Sequence, residues 1–273
     1  MENRKIENIL KDVTEIVKVS HLAKNNLSTA NISLLKNGKY KWNKPAYTGR
    51  VNDALKIVIN KFKDIKTKQT IRPKVAILGD LYVRDNDLMN QHIVHAIEEA
   101  GGEAITTPYN EYVRMIAAPY MKRWIKLGYY KEALSVKALT ALVGQLEKKY
   151  YKRFNEILKE DTHIYKDNFK EVLGEYGVTL SHSGESFDNL IKIDSLSRNY
   201  PDISLFVLTN PAFCCAGAVT EAMSSKIEDL TNIPVVALNY DGTGSDQNKK
   251  LIPYIKYARN KINAEENTGL NFK

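Results

Sequence analysis

Three short apolar runs constrain the fold of this 273-residue chain more than any other feature. They are KVAILG at 74–79, ISLFVLT at 203–209 and IPVVALN at 233–239. A strand that is apolar on both faces must be covered on both faces, which points to a parallel sheet between helices. A fourth strand, EAITT, follows the Gly101-Gly102 stop. Helical patterns fill the intervals at about 88–100, over a long region from 109 to 173 with Gly128, Gly144 and Gly174 as breaks, at about 217–230 and at about 247–262. The expected fold is therefore α/β, a three-layer domain around a parallel, flavodoxin-like or Rossmann-like sheet of at least four strands.

The amino-terminal part has a different pattern. Ile6, Ile9, Leu10 and Val13 recur at helical spacing, and Ala54, Leu55, Val58, Ile59 and Phe62 do so again. Turn residues crowd LSTANISLLKNGKYKWNKPAYTGR between them, and KDIKTKQTIRPK reads as a linker. The expected division is 1–72 as an N-terminal helical extension and linker, 73–265 as the α/β domain and 266–273 as a tail.

The chain has no apolar run of 18 residues, and its start, MENRKIENILKDV, lacks the apolar core of a secretory signal. The expectation is a cytoplasmic protein with no membrane partner. Its formal charge of +8 favours polyanions in principle. However, the basic pairs Lys122-Arg123, Lys148-Lys149 and Lys249-Lys250 are scattered, which reads as solvated helix faces and argues against nucleic acid as a partner.

In an open parallel sheet, ligands bind beyond the carboxyl ends of the strands. Three loops meet that condition: GDLYVRDND at 79–87, NPAFCCAG at 210–217 and NYDGTGSDQ at 239–247. The second holds both cysteines, Cys214 and Cys215. Adjacent residues strain a disulfide, which argues against a structural staple. The pair lies just before a helix start, where a thiolate is favoured. Three readings stay open: an inert buried pair, a nucleophile with His182 as its base, and a metal ligand. Asp80, Arg84, Asp85 and Asp87 can serve as caps and ion pairs or as a cation site, with capping the simpler use. His92 and His95 sit on a polar flank. DGTGS resembles a phosphate cradle, although it has neither the Walker lysine nor the GxGxxG spacing.

Taken together, GDLYVRDNDLMNQHIVHAIEEAGGEA, HSGES and NPAFCCAGAVTEAMSSKIEDLTNIPVVALNYDGTGS resemble, in order, segments of the 2-hydroxyacyl-CoA dehydratase and benzoyl-CoA reductase family, particularly the part associated with CoA-substrate-specific enzyme activases. The resemblance covers about residues 73–262. It implies an iron-sulfur cluster, low-potential electron transfer to a CoA thioester, anaerobic metabolism and an ATP-dependent activase as partner. It makes Cys214 the cluster ligand and puts Cys215 where many relatives carry methionine, although the pair also resembles the adjacent cysteines of double-cubane relatives. Arg84, Asn86, His182, Glu185, Glu221, Asp241 and Gly242 match other family positions, and the expected cofactor-binding set is Arg84, His182, Glu185, Asp241, Gly242 and Gly244.

A cubane cluster usually takes four thiolates. This chain has two cysteines. Relatives supply others from an amino-terminal α/β domain, so the chain resembles the carboxy-terminal half and is expected to need a cysteine-bearing domain or subunit. Whether it holds a cluster alone is open. The alternative expectation is a non-catalytic, cluster-less α/β subunit that docks on an activase or a cluster-bearing chain.

Overall fold

The computed structural model describes residues 55–65, 70–107, 109–158, 169–179 and 184–268. The extension before residue 55, the tail after 268 and His182 lie outside them. The chain divides into two compact units, one within 1–69 and 143–163, the other within 70–142 and 164–273. The described residues of the first are helical, at 55–63 and 143–158.

The second unit is the α/β domain. Its strands are β1 (Lys74–Gly79), β2 (Glu103–Thr106), β3 (Ile203–Pro211) and β4 (Val235–Tyr240). All pair in parallel, in the order β2-β1-β3-β4. The helices are α1 (Leu81–Arg84), α2 (Ile93–Glu99), α3 (Tyr109–Lys126), α4 (Tyr130–Leu158), whose residues from 143 on belong to the first unit, α5 (Phe169–Glu175), α6 (Glu185–Asn199), α7 (Cys215–Ala222), α8 (Ser224–Thr231) and, after a 3-10 turn at Gln247–Leu251, α9 (Ile252–Thr268). Among the described residues, no helix is long and apolar enough to cross a membrane.

The strand pleat explains the three layers. Side chains alternate along a strand, so β1 sends Ala76 and Leu78 to one face and Val75 and Ile77 to the other. Likewise Phe206 and Leu208 of β3 join the first core, and Leu205 and Val207 join the second. The first core is closed by Met115 of α3, Leu173 of α5, Phe187, Leu190 and Ile193 of α6 and Ile227 of α8. The second is closed by Val83, Ile93 and Ile97 of the α1–α2 region and by Leu251 and Ile255 before and within α9. Each fully buried side chain of this size stabilises the fold by about 1.5–3 kcal/mol.

Several helix boundaries differ from the sequence expectation: Gly144, expected as a break, lies inside α4, and the helix expected from about 247 begins at Ile252. The helix expected from about 88 begins at Ile93. Gln91 and His92 both take positive φ, 55° and 57°, and the buried Asn90 side chain donates to Val83 and Arg84 carbonyls while accepting from Ile93 N–H. That knot fixes the start of α2. The helix expected over 217–230 begins at Cys215 and is two helices broken at Met223, whose N–H donates to the Thr220 carbonyl in a tightened last turn. A further helix, α6, occupies the stretch SHSGESFDNLIKIDSLSRNY, and every residue from Ser186 to Asp194 in it is buried.

Candidate functional site

The strand order sets the position of the site. The chain leaves β1 toward β2 on one side and leaves β3 toward β4 on the other. The loops after β1 and β3 therefore diverge and leave a crevice at the carboxyl edge, the place where doubly wound sheets bind ligands. β1 ends at Gly79, whose φ of 108° turns the chain sharply out of the sheet. Its N–H donates to Asn189 Oδ1 on α6 at 3.0 Å, and Asp80 N–H donates to the Thr209 carbonyl at 2.8 Å.

Asp80 is the N-cap of α1, its Oδ1 accepting from the Tyr82 and Val83 N–H groups. Glu185 opens α6, and its Oε1 accepts from Leu81 N–H at 3.3 Å. Cys214 is the N-cap of α7, its sulfur accepting from Gly217 N–H at 3.3 Å. Gly217 must be small here, because the Asn210 side chain occupies the space where a Cβ would stand. Donor atoms of Asp80, Glu185 and Cys214 all lie within 4.8 Å of one another. Three separate segments thus bring two carboxylates and one sulfur to a single point.

Burial holds the Glu185 carboxyl above its ordinary value of 4.5, with the charges of Asp80 and Asp188 adding to the effect; the Leu81 N–H and the charge of Arg84 oppose it. A raised folded-state value means that the native chain binds this proton more tightly than the unfolded chain. The stability it contributes is present at low pH and is lost as pH rises above 4.5 through the folded value. Glu185→Gln is accordingly expected to be more stable than the wild type at neutral pH, with the advantage vanishing below 4.5. Urea unfolding midpoints on either side of that value test the difference.

Behind these groups lies a buried charge cluster. Lys192 Nζ meets Asp188 Oδ2 at 2.9 Å, with both side chains fully buried. Burial pushes the Asp188 carboxyl up, and Lys192 and Arg84 pull it back. Arg84 is the third member: its Nε donates to Asp85 Oδ1 at 3.3 Å, while Nη1 and Nη2 are buried without a hydrogen-bond partner among the described residues. Asn210 Nδ2 is likewise unpartnered.

The other expected residues are placed separately. Cys215 is the exposed first residue of α7 and is not part of the three-donor group. Asp241 is exposed, and its carboxylate accepts from both the N–H and the hydroxyl of Thr243, which holds it below the ordinary aspartate value. Gly242 and Gly244 take positive φ in the same turn. This loop sits beyond β4 and is tied to the α1–α2 connection, because Gln91 Nε2 donates to the Ser245 carbonyl and Gln247 N–H donates to Gln91 Oε1. His92 precedes α2, and His95 pairs with Glu99 in solvent at 3.2 Å.

No family model matches the chain, and no curated protein or solved structure shows significant similarity to it.

The chemistry therefore rests on the donor set. Two hard oxygens and one soft sulfur suit a borderline divalent ion such as zinc or ferrous iron, and three protein ligands leave a position open for water or substrate. A cubane iron-sulfur cluster is a poor fit to this chain alone. It calls for about four thiolates, and the second of the two cysteines stands exposed, outside the donor group.

The Asp188–Lys192 pair, Asn189 and Asn210 were not identified from the sequence. The i,i+4 spacing of Asp188 and Lys192 is the one local signal of the pair. It reads equally well as a solvated helix face.

Proposed function

We propose that this chain is a cytoplasmic α/β component of a 2-hydroxyacyl-CoA dehydratase-like or related low-potential reductase system, acting through a metal centre held at Cys214. The observation that carries this reading is the meeting of Cys214, Asp80 and Glu185 in the crevice between the β1 and β3 loops. In such a system a metal centre supplies the electron for a CoA thioester. This chain supplies candidate ligands from three segments, Asp80, Glu185 and Cys214. An iron-sulfur centre here requires thiolates from a cysteine-bearing partner chain, and an ATP-dependent activase would reduce it. Leu134, Leu139 and Leu142 of α4 are exposed, apolar surface of the kind a partner covers.

The presence of only two cysteines favours a second reading, a cluster-less subunit that docks on an activase or a cluster-bearing chain. Anaerobic titration of the full chain with Co²⁺ separates the two, because cobalt bound to a thiolate gives a charge-transfer band. The expected result is that wild type and Cys215→Ser show the band, while Cys214→Ser loses it. Serine is a poor soft-metal ligand, and loss of a direct ligand should exceed the ~10–100-fold that outer-shell contacts are worth. A wild-type chain that binds no cobalt supports the docking subunit instead.

A further inference from the structure

We propose that Arg84 recognises a ligand oxyanion, a carboxylate or a phosphate, bound at the carboxyl edge of the sheet between α1 and the first turn of α6. The inference starts from an unbalanced interior. The Arg84 side chain is 0% exposed, yet two of its three nitrogens have no acceptor. Guanidinium is always charged, and a buried charge without partners is costly.

Each neighbouring acid has a partner of its own, although Asp188 Oδ1 is buried without one. Asp85 accepts from Nε, Asp188 is paired with Lys192, Glu185 accepts from Leu81 N–H, and Asp80 caps α1. None of them reaches Nη1 or Nη2. The two free nitrogens form the two-pronged end of guanidinium, whose geometry matches the paired oxygens of a carboxylate or phosphate.

A second feature points the same way. Helix α6 runs for 15 residues, and its N-cap, Gly184, has no side chain to cap it. The dipole of this helix favours an anion there. Arg84 lies close enough to this turn for its charge to act on both Glu185 and Asp188. Both features sit beside the switch-point crevice, where the β1 loop places α1. The Nη atoms are closed off from solvent, so the proposal requires the single turn of α1, which carries Arg84, to move when the ligand binds.

This proposal does not rest on the metal reading, and its test keeps the two apart. The full chain, treated with chelator, is melted in increasing phosphate or acetate, with chloride at matched ionic strength as reference. Either anion is expected to raise the melting temperature beyond chloride, by roughly 2–4 °C per kcal/mol of binding for a unit of this size. Calorimetry should give at least tenfold weaker binding for Arg84→Met. The same variant without anion should be as stable as wild type or more so, because two buried donors without acceptors have been removed. Arg84→Lys keeps the charge but loses the two-pronged geometry and should also bind weakly. Cys214→Ser should respond as wild type does. A response to phosphate alone identifies a phosphate ligand, to acetate alone a carboxylate, and to both the shared chemistry. The guanidinium resonances of Arg84 in the ¹⁵N spectrum should shift with the same anion, a readout that needs no substitution. No rise above chloride in either anion, or a rise retained by Arg84→Met, overturns the proposal.

Discussion

Gly79→Ala is expected to remove most of the stability of the α/β unit. A Cβ at this position would stand 2.5 Å from the Thr209 backbone nitrogen and 2.8 Å from its carbonyl carbon, with the carbonyl oxygen closer still. These are main-chain atoms of the neighbouring strand, paired directly with Gly79, and they cannot swing aside as a side chain can. The φ of 108° adds a conformational cost for any residue with a Cβ. Overpacking at ~1–3 kcal/mol and backbone strain at ~1–3 kcal/mol together reach a large share of the ~5–15 kcal/mol that holds a typical domain. The expected measurement is a steep fall in urea midpoint or loss of soluble protein. Gly174→Ala is the control: it lies in α5 with nothing within 4 Å of the added methyl. It should be neutral or gain up to ~1 kcal/mol. Equal midpoints for the two variants would show that the β1–β3 approach is not as close as described.

Lys192→Met should cost about 3–5 kcal/mol, because it leaves Asp188 buried without its cation. The pH dependence follows from the direction of the shift. Burial already raises the Asp188 carboxyl, and removing Lys192 removes the first of the terms that oppose it. The native chain then binds the Asp188 proton more tightly than the unfolded chain does, so the variant's stability is greatest in acid and falls as pH rises. The double replacement Asp188→Leu with Lys192→Met should recover much of the loss, since a buried pair exchanged for apolar groups is often neutral or stabilising. Denaturant midpoints at two pH values for the wild type, single and double variants give the coupling directly. A single variant as stable as the wild type at neutral pH would mean that water reaches the pair.

The two predictions draw on different kinds of information. Gly79 closes an apolar run, and a glycine there is readable as a strand end. The clash that makes it necessary involves a strand 130 positions further on. Lys192 carries no such mark. In the sequence FDNLIKID, Asp188, Asn189 and Lys192 share one side of the helix, a pattern that reads as a solvated face. All eight are nevertheless buried, because Asn189 accepts from Gly79 N–H, Asp188 neutralises Lys192 and Phe187 fills the core.

The candidate site shows the same division. Cys214 was placed by local pattern, since a thiol between an apolar run and a helix start must stand at a strand end. Glu185 was marked by its family resemblance, and Asp80 by its position as a cap. That these three donors converge depends on parallel register between β1 and β3 and on the approach of α6 to Gly79. Neither is written in neighbouring residues.

Short-range patterns thus settled the parallel sheet, its three layers and the carboxyl-edge loops, because uninterrupted apolar strands must be covered on both faces wherever they occur. The convergence of Asp80, Glu185 and Cys214, the isolation of Arg84 and the burial of α6 had to wait for the folded chain. Each depends on contacts between segments distant in sequence, where the cost of an unpaired charge or a misplaced Cβ is set by what the rest of the molecule puts beside it.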